Sequence, residues 1–126
     1  MPPIVYPAAA LTGAPRSRRI IAPRREGWSG VAIMEWELRA QQWVDTHPHD
    51  EINVVLEGTL VVECDGESVE LSAGDSVLVP AGSTGCYRAP EYARMLAVYG
   101  PNPDGRPSAV EGLSSLPDPG EGGTTR

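Results

Sequence analysis

The chain has no phenylalanine and no lysine, and it holds only two cysteines and two histidines among its 126 residues. Cys64 and Cys86 form no CxxC pair and no framework spacing, which favours two reduced thiols over a disulfide scaffold. No stretch is long and apolar enough to span a bilayer, and residues 1–19 lack the charged-then-apolar order of a secretory signal. These absences predict a cytoplasmic protein.

A second group of absences concerns partners. The formal net charge of -7 argues against nucleic-acid and membrane-surface partners. The sequence contains no phosphate-cradling glycine loop and no GxSxG elbow. Its length suits one domain with its own core.

The two ends of the chain differ from the middle. Residues 1–27 are rich in proline and arginine, which indicates a solvated or loosely docked arm, or an arm that crosses to a partner subunit and pairs with its acidic body. Residues 101–126 repeat proline and glycine without an apolar period. We expect a tail there, with disorder over about its last ten residues.

The middle of the chain, residues 28–100, has the composition of a β protein. Short runs with alternating apolar side chains are separated by glycine-rich turns, and no helical period is present. The predicted strands are "GVAIMEWEL", "QQWVDTH", "EINVVLEG", "TLVVECDG", "ESVELSAGD", "SVLVPAG", "CYRAP" and "ARMLAVYG". This pattern predicts an all-β sandwich or barrel.

Two segments of this region, "HPHDEINVVLEG" and "GDSVLVPAGSTG", resemble the two motifs of the cupin superfamily. The resemblance covers roughly residues 28–100 and implies a cupin-type jelly-roll β-barrel in a single domain. The glycines and the proline of the second motif match at Gly74, Pro80 and Gly82. The family's third histidine, however, falls at Gly85, which has no side chain.

The first motif fits the family best when it is anchored on Glu51 and Gly58, because the six residues between them match the spacing of the family's motif. His47 takes the place of the second family histidine in this register, and Asp45 takes the place of the first. His49 becomes an additional imidazole. In an extended strand residues 45, 47, 49 and 51 would share one face, although Pro48 allows a local bend.

The resemblance leaves three interpretations of this cluster open. One divalent transition metal of the Fe, Mn, Ni or Zn class could be held by Asp45, His47, His49 and Glu51, although two family histidines are replaced. A metal-free site could use His47 as general acid or base, oriented by a carboxylate, and we favour this absence of a cofactor. The histidines could also sit at a polar barrel mouth without chemistry.

Other residues are predicted to surround the cluster. Tyr87 lies two residues beyond Gly85, hence on its face, and could donate a proton or pack in the core. Trp43 could wall the pocket, and Asn53 is polar where a strand interior is normally apolar. Arg88 could bind a carboxylate or phosphate.

Together these observations predict a small-molecule enzyme of the lyase, isomerase, cyclase or dioxygenase type, with His47, Glu51 and Tyr87 as catalytic residues. The alternative is a binding or sensing barrel that has lost its metal site. A homodimer is expected, because the family is often dimeric and pairing protects exposed sheet edges.

Overall fold

The computed structural model describes residues 1–117, in which nine strands and no helix occur. The strands are β1 (Arg16–Ile21), β2 (Ala32–Leu38), β3 (Gln41–Thr46), β4 (Glu51–Cys64), β5 (Glu67–Ser72), β6 (Ser76–Val79), β7 (Thr84–Ala89), β8 (Ala93–Tyr99) and β9 (Ala109–Ser115). All strand pairs are antiparallel. The predicted all-β jelly-roll class is therefore confirmed.

The strands form two halves of one curled sheet, with the order β1-β2-β8-β4-β7-β3-β9. The first half, sheet 1, contains β1, β2, β8, β6 and the beginning of β4. The second half, sheet 2, contains the end of β4 with β5, β7, β3 and β9. Because β4 belongs to both halves, it joins them along one side of the barrel.

A bend in β4 lets this one strand serve both halves. The sequence predicted two strands here, broken at Gly58, whereas the structure has one strand of 14 residues. The register against β8 shifts between Val55 and Glu57, and Gly58 adopts φ 77°. A β-carbon at Gly58 would lie 2.0 Å from the Tyr92 carbonyl oxygen, so only glycine fits this crossing.

The core lies between the two halves and follows strand alternation. In β8 every second residue from Ala93 to Tyr99 is buried, as a strand with one solvated face requires. Trp36 and Leu38 face these residues from β2, and Leu60 and Val62 extend the core along β4. At one end of the barrel this apolar interior gives way to buried polar side chains, namely Asp45, His49, Glu51 and Asn53.

The end segments of the chain contribute strands as well. β1 lies along β2 of the same chain, with Arg16 and Arg18 paired to Glu37 and Glu35 at 2.7 and 2.8 Å. β9 lies along β3. The sheet therefore extends on both sides beyond residues 28–100. The predicted disorder of the last ten or so residues falls almost entirely outside the described range.

No helix within residues 1–117 is long and apolar enough to cross a membrane. The cytoplasmic location stays a prediction.

Candidate functional site

The polar cluster is built where the chain crosses from sheet 2 to sheet 1. Asp45 is the next-to-last residue of β3 and Glu51 is the first residue of β4, and the loop between these strands carries both histidines. This loop is fastened by its backbone: the His47 carbonyl accepts from the Gly82 amide, and the Asp50 carbonyl accepts from the Gly100 amide. Fixed main-chain contacts of this kind hold the loop side chains in one arrangement.

His47 is the centre of the cluster. Its Nε2 lies 2.9 Å from Asp45 Oδ2 and 3.0 Å from Glu51 Oε1. Its Nδ1 bonds to the Ser108 hydroxyl, in the loop before β9. Burial acts to lower the pKa of His47, but the hydrogen bonds to the two carboxylates outweigh burial and raise this pKa to about 9. At neutral pH the ring is therefore an imidazolium held by three partners.

Each of the two carboxylates also accepts a hydrogen bond from a side chain other than His47. The Trp43 indole Nε1 donates to Asp45 Oδ2 at 2.6 Å, and the Asn53 amide donates to Glu51 Oε2 at 2.8 Å. Asn53 in turn accepts from the Trp36 indole at 2.8 Å. These bonds fix the direction of each carboxylate, as buried charged groups require.

His49 lies against His47 but has the opposite electrostatic character. The two rings stack with centroids 4.7 Å apart, and the Tyr99 ring lies beside both of them, with its centroid 5.3 Å from that of His49 and 6.4 Å from that of His47. Burial, together with the adjacent His47 charge, lowers the pKa of His49 even though the Asp50 carbonyl lies 3.1 Å from its Nδ1. A neutral ring that donates from Nδ1 keeps Nε2 as an acceptor.

Tyr87 occupies the place where the family's third histidine would project. A β-carbon built on Gly85 would lie 2.9 to 3.1 Å from atoms of the Tyr87 phenol ring. The ring is fully buried and packs edge-on against Trp36 at 5.5 Å. Among residues 1–117 its hydroxyl has no hydrogen-bond partner. Burial, and then the Glu51 and Asp45 charges, raise the pKa of Tyr87, so the phenol stays protonated.

A cavity of roughly 570 Å³ opens above the cluster. Its floor is formed by Asp45, His47 and Glu51, and four large aromatic side chains are part of its walls. The apolar wall residues include Trp28, Trp36, Trp43, Tyr99 and Met34. A volume of this size suits a small organic molecule.

The structure brings together most of the predicted site. Asp45, His47, His49, Glu51 and Trp43 line the cavity. Asn53 and Tyr87 lie beneath its floor and do not line it.

Arg88 is also absent from the cavity wall. It projects from the opposite face of β7, with its guanidinium 3.5 Å from Glu63. The reason is alternation, since Arg88 directly follows the inward-facing Tyr87.

Several lining residues were not predicted from the sequence. Ser108 and the arginines at the cavity rim come from the two ends of the chain, where no period marks an inward face. Tyr99 did carry a signal, because strand alternation in "ARMLAVYG" places it on the buried face of β8.

The residues of the cluster do not fit a metal ion in this arrangement. Across residues 1–117 no group of three or more His, Cys, Asp or Glu side chains could hold one. Both ring nitrogens of His47 are taken up by hydrogen bonds, and the imidazole that could complete a ligand set is missing at Gly85. Metal binding stays an untested prediction.

The chain is similar in sequence to a known protein family and to curated proteins. The model of the cupin domain family matches residues 32–99. The acetate kinase EutQ of Clostridioides difficile strain 630 is 36% identical over 72 residues, which are 57% of this chain and 45% of that protein. The chain thus spans less than half the length of the curated relatives it matches.

Solved structures agree with the fold. The ethanolamine utilization protein Q of Salmonella typhimurium LT2 has a TM-score of 0.56 and 31% identity, with 68% of each chain covered. KdgF from a Halomonas species has a TM-score of 0.57 and 22% identity, over 68% of this chain and 79% of that one. The likeness to KdgF concerns the fold alone.

Proposed function

Since the chain belongs to the cupin domain family, we propose that it is a small-molecule enzyme that works by metal-free acid–base chemistry, with His47 as the proton donor. One observation carries this proposal: His47 is held between Asp45 and Glu51 at 2.9 and 3.0 Å on the floor of a cavity. A positioned acid beside carboxylate bases is the arrangement that proton transfer requires.

The electrostatics of the floor define the role of each group. With a pKa of about 9, His47 carries its proton at neutral pH and can give it to a substrate oxygen as negative charge develops there. A substrate oxygen would take the place of one of the two carboxylates at Nε2. Asp45 and Glu51 orient the ring and keep it charged until the substrate enters. After the transfer His47 is neutral, and it is protonated again from the product or from water.

This chemistry suits reactions in which a C–H proton is removed and an oxygen is protonated, namely isomerisation, elimination and cyclisation. The carboxylate displaced from Nε2 is the nearest base for the C–H proton. The aromatic walls exclude water from the reacting atoms, which strengthens the interactions of the floor charges.

The second candidate is a binding barrel without catalysis. It is favoured by Tyr87, which fills the space beside Gly85 and closes the position where the family's third histidine would stand. In that case the cavity would bind a ligand and His47 would only contribute to its polarity.

Deuterium exchange separates the two candidates. The protein, freed of metals by a chelator, is incubated in D₂O with 2-keto and 2-hydroxy carboxylic acids and sugar acids, and deuterium uptake is followed by NMR. We expect exchange with the native protein, loss of exchange in His47→Gln, and retention in the matched control Arg16→Gln. Exchange that persists in His47→Gln, or that requires added metal, contradicts the acid–base proposal. Ligand binding without exchange supports the binding barrel.

A homodimer is proposed on separate grounds. Ile52 and Leu78 are neighbours across β4 and β6, and both are exposed on the outer face of sheet 1, together with Leu56. A second copy of the chain that covers this apolar face would remove it from water. Light scattering tests the proposal, and a monomer mass would contradict it.

A further inference from the structure

The arginines of the chain fall into two groups. The sequence has ten, of which Arg126 lies outside the described residues. Among the other nine, Arg16, Arg18, Arg88 and Arg94 pair with glutamates, and Arg39 stacks over the Tyr92 ring at 4.4 Å. The remaining four all line the cavity: Arg19, Arg24, Arg25 and Arg106. None of these four has a carboxylate partner within residues 1–117.

These four residues, here called the rim arginines, lie on a strand and on loops whose backbone is held by hydrogen bonds. Arg19 is in β1, Arg24 and Arg25 follow that strand, and Arg106 precedes β9. The buried Asn102 holds the last of these loops, because its side-chain amide donates to the Arg106 carbonyl at 2.9 Å and its side-chain oxygen accepts from the Arg106 amide at 3.2 Å.

The two loops are also fastened to each other. Trp28 and Asn102 exchange two backbone hydrogen bonds of 3.0 Å. Gly105 approaches the Arg25 carbonyl so closely that a β-carbon would lie 2.5 Å from its oxygen. The backbone that carries the rim arginines is therefore fixed above the cavity.

The charge of the molecule makes this grouping informative. The chain has 17 acidic residues and a net charge of -7, so partners for exposed arginines are abundant elsewhere. The four exposed arginines that line the cavity have no such partner within residues 1–117. Guanidinium groups bind carboxylates and phosphates through paired hydrogen bonds, and four of them exceed what one negative charge can use.

The floor has the opposite sign. Asp45 and Glu51 contribute two negative charges and His47 one positive charge, which leaves the floor with a net negative charge. A ligand is therefore drawn in with its charged groups toward the rim and an uncharged, reacting part toward the floor.

Resting on the proposed function, we propose that the substrate is a small organic dianion, whose negative groups bind the rim arginines while its uncharged carbonyl or hydroxyl end reaches His47. Dicarboxylates and phosphate monoesters share this chemistry. The aromatic walls between rim and floor contact the carbon skeleton.

Calorimetric titration of the full chain tests this inference. The probes are malate and glycerol 3-phosphate as dianions, with malamide and glycerol as their neutral counterparts. We expect at least one dianion to bind, both neutral compounds to fail, and affinity to fall with added salt. The double variant Arg24→Gln/Arg25→Gln should weaken dianion binding about tenfold or more, since one charge-assisted hydrogen bond contributes roughly the free energy of a tenfold step.

The control is Arg16→Gln, which removes one positive charge from an arginine of β1 that does not line the cavity and pairs with Glu37. It should leave dianion binding within about twofold of the native value, since a distant exposed charge is largely screened. Equal binding of neutral compounds, equal weakening by Arg16→Gln, or no saturable binding of either dianion at millimolar concentration would overturn the inference.

A third variant separates this inference from the proposed function. His47→Gln should bind the dianion within a few-fold of the native protein while deuterium exchange is lost. Retained exchange in His47→Gln defeats the acid–base proposal and leaves the dianion site standing. If exchange is lost in His47→Gln but dianion binding is unchanged in Arg24→Gln/Arg25→Gln, the dianion site is contradicted and the acid–base proposal stands.

Discussion

The floor and the rim of the cavity differ in whether their charged side chains have partners within the protein. On the floor, Asp45 and Glu51 both pair with His47, and each carboxylate accepts a further hydrogen bond from another side chain. At the rim, Arg19, Arg24, Arg25 and Arg106 have no carboxylate partner in the described part of the chain. Charges satisfied within the protein stabilise the fold and fix a geometry, whereas charges without partners remain available to a ligand. Substitutions on the floor should therefore affect stability, and substitutions at the rim should affect affinity.

The largest expected effect on stability lies under the floor, at Asn53. This side chain is fully buried and joins the Trp36 indole to the Glu51 carboxylate. Asn53→Ala leaves a buried donor and a buried acceptor without partners, at about 2 kcal/mol for each, so the free energy of unfolding should fall by about 4 kcal/mol. Urea denaturation measures it. A loss below about 1 kcal/mol would show that water replaces the amide and that the floor is not sealed.

The second effect is the pH dependence of stability that His47 produces. Its pKa is raised from 6.5 to about 9 on folding. The stabilisation is therefore complete below pH 6.5 and is lost as the pH rises through 9. After allowance for partial solvent screening it amounts to roughly 2–3 kcal/mol. Melting temperatures between pH 6 and 10 should show this decline in the native chain and a flatter profile in His47→Gln.

His49 provides the internal control for this experiment, because the pKa of His49 is lowered on folding. Its contribution is present above pH 6.5 and is lost as the pH falls below that value. His49→Gln should therefore keep the alkaline decline and reduce the loss of stability on the acidic side. An alkaline decline that disappears in His49→Gln but persists in His47→Gln would reverse the assignment of the two rings.

The third effect concerns the position of the missing histidine. Gly85→Ala places a β-carbon against the buried Tyr87 ring, and overpacking of this kind should lower the free energy of unfolding by about 2 kcal/mol. Gly30→Ala is the matched control, because a β-carbon there meets no atom within 4 Å and needs no unusual backbone conformation. Equal stability of the two variants would mean that Tyr87 moves aside easily and that the floor can admit a further side chain.

The sequence located the floor because spacing carries the information there. Glu51 and Gly58 fixed the register of the first motif, and that register placed Asp45 and His47 correctly beside Glu51. Alternation also placed Tyr87 on the same face of β7 as Gly85, and both are buried. It indicates only the face of a residue and not its depth, which is why Tyr87 was expected at the pocket and lies beneath it.

The rim could not be found in this way. β1 is held to β2 by paired charges such as Arg18 with Glu35, and not by an alternating apolar pattern, so residues 1–27 gave no strand signal. Ser108 and Arg106 reach the site from a loop about 60 residues from His47 in sequence, and their positions follow from the pairing of β9 with β3. Contacts that depend on the pairing of strands far apart in the sequence leave no periodic pattern in the local sequence.

The smallest expected effect compares an arginine of the outer surface with one of the rim. Arg18 lies 2.8 Å from Glu35, and both side chains are mostly shielded from solvent, so Arg18→Gln should lower the free energy of unfolding by about 1 kcal/mol. Arg24→Gln removes a charge that has no carboxylate partner in residues 1–117 and should change this free energy by less than about 0.5 kcal/mol. Urea titrations at low and high salt measure both, and salt should reduce only the Arg18 effect. A loss of 1 kcal/mol or more for Arg24→Gln would mean that the rim arginines hold the fold, and the division between a structural floor and a ligand-binding rim would then fail.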